Sequence, residues 1–186
     1  MTFSGQETTF VIPTIYGRKG NSIYLHGSVK SRLMNKVKEG IPVCISVAMV
    51  DGLVLARSVF HHSANYRSVV LFGKTIEVTD DKGKNEAFEV ITESVLKGRW
   101  KEARQPNNKE LNVTAVMEVK IETATAKVRT GEPVDEKSDY ELDVWAGVLP
   151  IQKTYGEPIT DELSKRDIDV SESVISELTQ ANLNTL

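Results

Sequence analysis

Hydrophobic and polar positions along this chain fall into short alternating runs separated by polar turns, the period of half-buried strands. Residues 8–15 (TTFVIPTI) predict a strand, with Pro13 at an edge or bulge. Residues 16–22 (YGRKGNS) predict a turn, and residues 23–26 the next strand. Residues 29–38 predict a short helix, which Gly40 stops before Pro42. The run 42–50 (PVCISVAMV) is apolar nearly throughout, as in a strand covered on both faces. Asp51-Gly52 signals a hairpin turn, with 53–60 (LVLARSVF) as the returning strand and 61–66 (HHSANY) as a loop.

Further along, 68–79 predicts a long strand with Gly73 at a bulge or bend, and 80–85 (DDKGKN) a polar turn. Apolar residues at Phe88, Val90, Ile91, Val95 and Leu96 predict an amphipathic helix over 86–96. Residues 100–109 read as loop with helix starts, and 111–128 as one long strand or two shorter ones. A polar excursion (TGEPVDEKSD, 130–139) precedes a last strand, 140–151, with a Gly break. The tail from Tyr155 is polar, with a weak helix at 171–178. Many strands with short turns and two helices predict a mainly β fold, a small antiparallel barrel with helical additions. Nothing alternates as βαβα, which argues against a doubly wound parallel sheet.

A chain of 186 residues, 40% hydrophobic, is long enough for one domain with a real core. Its net charge of −3 gives no reason to expect nucleic acid as a partner. The single cysteine, Cys44, excludes an intrachain disulfide and a cysteine-built zinc site, and its apolar run predicts a buried, inert thiol. No apolar run approaches ~18 residues, so no membrane span is expected. The start, MTFSGQETTF, lacks the basic-then-apolar form of a signal peptide, and a cytoplasmic location is expected.

The stretch IYLHGSVKSRLM, residues 23–34, changes character midway. Strand-like Ile23, Tyr24 and Leu25 give way to His26, Gly27 and Ser28, then to Lys30, Ser31 and Arg32. A helix starting at Ser28 would be capped by its hydroxyl. Its first-turn amides, ringed by Lys30, Ser31 and Arg32, would form an anion site suited to phosphate. Cations in a first turn oppose the helix dipole by roughly 0.3–1 kcal/mol each, a penalty that a bound dianion would reverse. An ordinary serine cap beside solvated basic residues gives the same pattern.

Two other groups stand out. SANYRSVVLFG, 63–73, gathers Tyr66, Arg67 and Ser68 where loop meets strand, a usual place for ligands, although a well-capped hairpin also explains it. Lys127 and Arg129 share one face of a predicted strand. Trp145 is followed by Ala146 and Gly147, which let a flat ring approach the backbone, although a lone Trp also suits a core. His61 and His62 are adjacent on an extended segment, so their side chains diverge, and no metal site is expected.

Taken in order, HGSVKSR, ARSVFHHSANYRSVVLFGKTIEV and ELNVTAVMEVKIETATAKVRTGEPVDEKSDYELDVWAGVLP resemble the pyridoxamine 5′-phosphate oxidase-like flavoproteins, in the branch near the nitroimidazole-resistance proteins. The resemblance runs from about residue 6 to about 158. It implies an FMN-binding split β-barrel over 1–158, without the family's N-terminal helix and first strand, and a polar, partly helical tail over 159–186. It implies a homodimer with flavin at the interface and an oxidoreductase acting on a small molecule. A non-catalytic flavin or haem carrier or sensor is the alternative. By position, the strand end at His26 and Gly27 would lie by the flavin, Ser31 and Arg32 would hold the phosphate against the turn that begins at Ser28, and Lys30 would stand in for a missing cation. Tyr66, Arg67 and Ser68 match the family's Tyr-x-Ser stretch, with Ser68 at the flavin or its ribityl chain. Arg129 completes the basic face, and Trp145 matches the segment through which the partner subunit reaches the flavin. Leu33 stands where a second cation follows the family's Ser-Arg pair, and Val148-Leu149 replace its substrate-binding Arg. The resemblance therefore implies chemistry other than pyridoxine-phosphate oxidation. His26 is also the residue expected to meet haem, the minor alternative cofactor.

Overall fold

The computed structural model describes residues 2–4, 9–164 and 168–183. Its strands are β1 (Thr2–Ser4), β2 (Thr9–Val11), β3 (Tyr16–Lys19), β4 (Ser22–Ser28), β5 (Pro42–Leu55), β6 (Ser63–Val78), β7 (Thr114–Arg129) and β8 (Gly147–Pro150). Its helices are α1 (Arg32–Val37), α2 (Asp81–Val95), α3 (Arg99–Glu102), α4 (Asn108–Asn112) and α5 (Glu172–Leu183), with 3₁₀ turns at Val59–His61 and Lys137–Glu141. The strands form one sheet in the order β2-β1-β5-β6-β7-β4-β3, with β8 also paired to β5. The pairs β1–β2, β1–β5, β3–β4, β4–β7 and β5–β8 are antiparallel. The expected mainly β, antiparallel class is the one observed. No described helix is long and apolar enough to cross a membrane.

The chain divides into two compact units. The larger comprises 1–44, 72–122 and 154–186, and the smaller 45–71 and 123–153. In the larger unit, β4 and β7 pair from Ser22↔Lys120 to Ser28↔Thr114. Leu25, Val37, Val116, Met117 and Val119 are fully enclosed there. Helix α2 packs onto β3 so closely that a Cβ at Gly17 would lie 2.7 Å from the Ile91 backbone. Gly73 is a point of close approach, since a Cβ there would run into the Lys120 carbonyl oxygen. Helix α5 is clamped at its start. The Ser173 amide and hydroxyl both donate to the Glu102 carboxylate, and Tyr155 donates to Glu177 at 3.0 Å.

Several expected elements differ, each for a local reason. The turn predicted at 16–22 is confined to Gly20 and Asn21; Gly20 takes φ 60°, and the flanking residues pair as β3 and β4. No hairpin forms at Asp51-Gly52, and β5 runs straight through. A two-residue type I′ turn needs positive φ; Gly52 does not adopt it, and Asp51 instead accepts both ends of the Arg67 guanidinium at 2.9 and 2.8 Å. Helix α1 starts at Arg32 with Ser31 as its cap, not at Ser28. The polar run at 80–85 is the first turn of α2, with Asp80 capping the Gly83 amide at 2.8 Å. The last strand shrinks to four residues, and β1 was not expected at all. Cys44 lies opposite Thr2 and is half-buried rather than enclosed.

Candidate functional site

In the larger unit the candidate residues sit on β4 and the turn after it. Alternation places Ser22, Tyr24 and His26 on one face. There the Tyr24 hydroxyl donates to Glu118 at 3.4 Å, Glu118 pairs with Lys120, and Lys120 donates to Ser22 at 3.1 Å. Burial, then the Glu118 charge, pushes the Tyr24 hydroxyl above its usual range. Beside this network is a cavity of about 140 Å³ lined by Lys19, Tyr24, Glu86, Val90 and Glu118 among others. Ligand pockets usually run roughly 300–1,000 Å³, so it suits small polar species rather than a flavin ring.

His26 ends this face. Its ring packs on Phe88 at 5.4 Å with a tilt of 58°, and its Nδ1 is buried with no hydrogen-bond partner among the described residues. Burial lowers the imidazole pKa, so the ring is held neutral. A neutral imidazole with an unspent nitrogen can donate to, or accept from, a heteroaromatic ligand. Gly27 points the other way, where a Cβ would stand 3.0 Å from the Met34 side chain. Ser28 closes the following turn: its carbonyl accepts from Ser31 N–H at 2.9 Å and its hydroxyl from Lys30 N–H at 3.2 Å. The Ser31 hydroxyl accepts from Met34 N–H at 3.5 Å. Lys30 and Arg32 are exposed on either side of Ser31. The helix they introduce has only six residues, so its dipole contributes little and the two cations carry most of any anion attraction.

In the smaller unit, Tyr66 is half-buried with the Lys127 ammonium 5.8 Å from its ring centroid. Arg67 is committed to Asp51 by two charge-assisted hydrogen bonds. Ser68 donates to the Lys127 carbonyl at 3.5 Å, and Arg129 donates to Asn65 Oδ1 at 2.6 Å. Trp145 is 67% exposed and lies over Gly147.

The residues 57–62 between β5 and β6 hold a constellation that periodicity did not reveal. The Asp135 carboxylate is buried and accepts from the amides of Arg57 and Ser58 at 3.0 and 3.2 Å and from the Arg57 guanidinium at 3.3 Å. Burial alone would raise its pKa, but these donors hold it below the usual range. The guanidinium also lies 4.7 Å from the Tyr140 ring centroid, while its Nε is buried without a partner among the described residues. His62 Nδ1 sits 3.1 Å from the Ser58 carbonyl and 3.3 Å from the Ala56 amide. The missed signal was an aspartate within a polar excursion, 78 residues from the loop it holds.

The family model for pyridoxamine 5′-phosphate oxidase matches residues 1–128. The FAD- and haem-binding protein of Mycobacterium smegmatis is 31% identical, with TM-score 0.89 over 94% of this chain and 86% of that one. The flavocytochrome Anf3 of Azotobacter vinelandii is 34% identical, with TM-score 0.85 over 93% of this chain and 80% of that one. A Bacteroides thetaiotaomicron protein assigned to 5-nitroimidazole antibiotic resistance is 19% identical, with TM-score 0.51 over 64% of this chain and 68% of that one, a likeness of fold. No curated protein matches the chain.

Proposed function

Because the chain belongs to the pyridoxamine 5′-phosphate oxidase family, we propose that it is a flavin- and haem-binding redox protein, active as a homodimer on a small molecule. The observation that carries this reading is the near full-length likeness to a FAD- and haem-binding protein and to a flavocytochrome. FAD replaces FMN as the preferred flavin because the M. smegmatis protein takes FAD. Pyridoxine-phosphate oxidation is not proposed, since Val148 and Leu149 offer no charge for a substrate phosphate.

The residues present fit a flavin. Lys30 and Arg32, with the hydroxyls of Ser28 and Ser31, would hold its phosphate, and His26 offers a ring nitrogen with no partner among the described residues as a hydrogen-bonding group. In the smaller unit, Tyr66, Ser68 and the largely exposed Trp145 offer a ring, a hydroxyl and an indole to a flavin held by a partner subunit. Arg67 is paired with Asp51. Bound flavin supplies hydride and one-electron chemistry, and haem one-electron and oxygen chemistry; the chain supplies position and electrostatics.

The test is the absorbance spectrum of purified protein with its molar mass by light scattering, followed by chromatography of the released cofactor. Bound FAD, a Soret band and a dimer mass are expected. A colourless protein that takes up neither added flavin nor hemin would sink the reading. Tight cofactor binding with no turnover for any donor and acceptor would move it from oxidoreductase to carrier or sensor.

A further inference from the structure

We infer that His62 is the haem-iron ligand of this chain, presented by the 57–62 loop, and that His26 is not. The inference rests on the haem half of the function proposed above and gives it an address.

The chain has three histidines, His26, His61 and His62. A metal-binding imidazole typically has its second nitrogen tied to a carbonyl or carboxylate, which fixes both tautomer and ring plane. His62 alone has that arrangement. Its Nδ1 lies 3.1 Å from the Ser58 carbonyl, and its Nε2 has no partner among the described residues. The Ala56 amide donates to Nδ1 at 3.3 Å. The two contacts require opposite tautomers. The carbonyl contact is the shorter and leaves the Nε2 lone pair available; iron at Nε2 would select it, the proton staying on Nδ1.

The other two rings lack this support. The His61 ring meets Phe60 edge-on at 5.2 Å, and no hydrogen bond from a described residue orients it. His26 has a buried Nδ1 with no acceptor among the described residues and Phe88 against its ring, so none of them sets its tautomer for coordination.

The rest of the loop suits a flat apolar ligand. Asp135 ties its base at two amides, so the backbone is organised in advance. Beside the histidines, Val59 and Phe60 are 86% and 85% exposed. Large apolar side chains held out by an anchored loop favour something that covers them, and a porphyrin does so while meeting a nearby imidazole.

The full chain, stripped of cofactor, is titrated with hemin and followed at the Soret band, while FAD binding is followed separately by fluorescence quenching. His62→Gln should weaken hemin at least about 10-fold, because disturbing only the outer partners of a metal ligand already costs about 10–100-fold. FAD binding should be unchanged. His62→Gly should lose the histidine-ligated spectrum and regain it with added imidazole, which separates ligation from misfolding. Unchanged hemin affinity and spectrum in His62→Gln, or loss in His26→Gln or His61→Gln instead, would overturn the assignment and leave the function standing. A wild-type chain that binds FAD but no hemin would remove the haem half of the function, and this inference with it.

Discussion

Strand β7 passes through two regimes of burial. From Ala115 to Val119 it is enclosed except at half-buried Glu118, whereas every residue from Glu122 to Val128 is exposed. The two units differ in the same way. The larger holds Leu25, Val37, Val116 and Val119 at or near zero exposure. The smaller encloses Ile45, Val54, Ala56 and Leu71 and displays Val59, Phe60, Val128, Val134, Trp145 and Leu149. Packing fixes the first unit; ion pairs and buried polar anchors, Asp51–Arg67 and Asp135–Arg57, organise the second. A region ordered by polar anchors can afford to leave apolar residues for a ligand or a second subunit to cover.

That contrast is easiest to break where packing is tightest. Gly73→Val should cost more than about 4 kcal/mol or prevent folding, because the added carbon meets a backbone carbonyl that cannot turn aside; urea denaturation measures it. Leu25→Ala, at a fully enclosed site, should cost about 3 kcal/mol on the same assay. A loss under about 1 kcal/mol at Leu25 would mean that the larger unit is not the packed one.

The elements around Leu25 were also the best read from sequence. An apolar run in β4 and partial alternation in β7 carried the strands, and the 3.6-residue period carried α2. What failed were breaks decided by distant partners. Asp51-Gly52 is a strong local turn signal, yet Arg67, 16 residues on, recruits the aspartate and the strand continues. Ser28 and Ser31 are equivalent caps to a local rule, and the Ser28 hydroxyl is taken by Lys30 N–H instead. The candidate residues were legible as groups, but Arg67's commitment to Asp51 and the role of Asp135 depend on contacts that no spacing encodes.

Titration sharpens the contrast by a smaller effect. Glu110 is held down to about 2, first by the Arg104 guanidinium and then by the Asn107 amide. Its ordinary value is 4.5, so its contribution to stability is complete above that pH and fades as pH falls from 4.5 toward 2. Glu110→Gln should flatten that part of the urea-midpoint profile. His26 acts in a separate window: burial lowers its pKa, so the fold loses stability as pH drops below 6.5, and His26→Gln should remove that slope. A slope identical to wild type would show the imidazole to be solvated.

The smallest expected effect lies in the smaller unit. Val59→Ser with Phe60→Ser should move unfolding free energy by no more than about 0.5 kcal/mol in the cofactor-free chain. A loss above about 2 kcal/mol would place these side chains in a core and erase the distinction between the units.

The clamp between Glu102 and Ser173 has a practical corollary. Thr154 and its successors as far as Ser164 are exposed and lack regular structure apart from a turn, so a protease has an open target there. Once that strap is cut, α5 no longer benefits from being tethered and must stay on by its own affinity, resting on Glu102 and a few half-buried side chains. Preparations nicked in this stretch should therefore shed a C-terminal peptide on dilution, and more readily in acid, where the carboxylate that grips Ser173 becomes protonated.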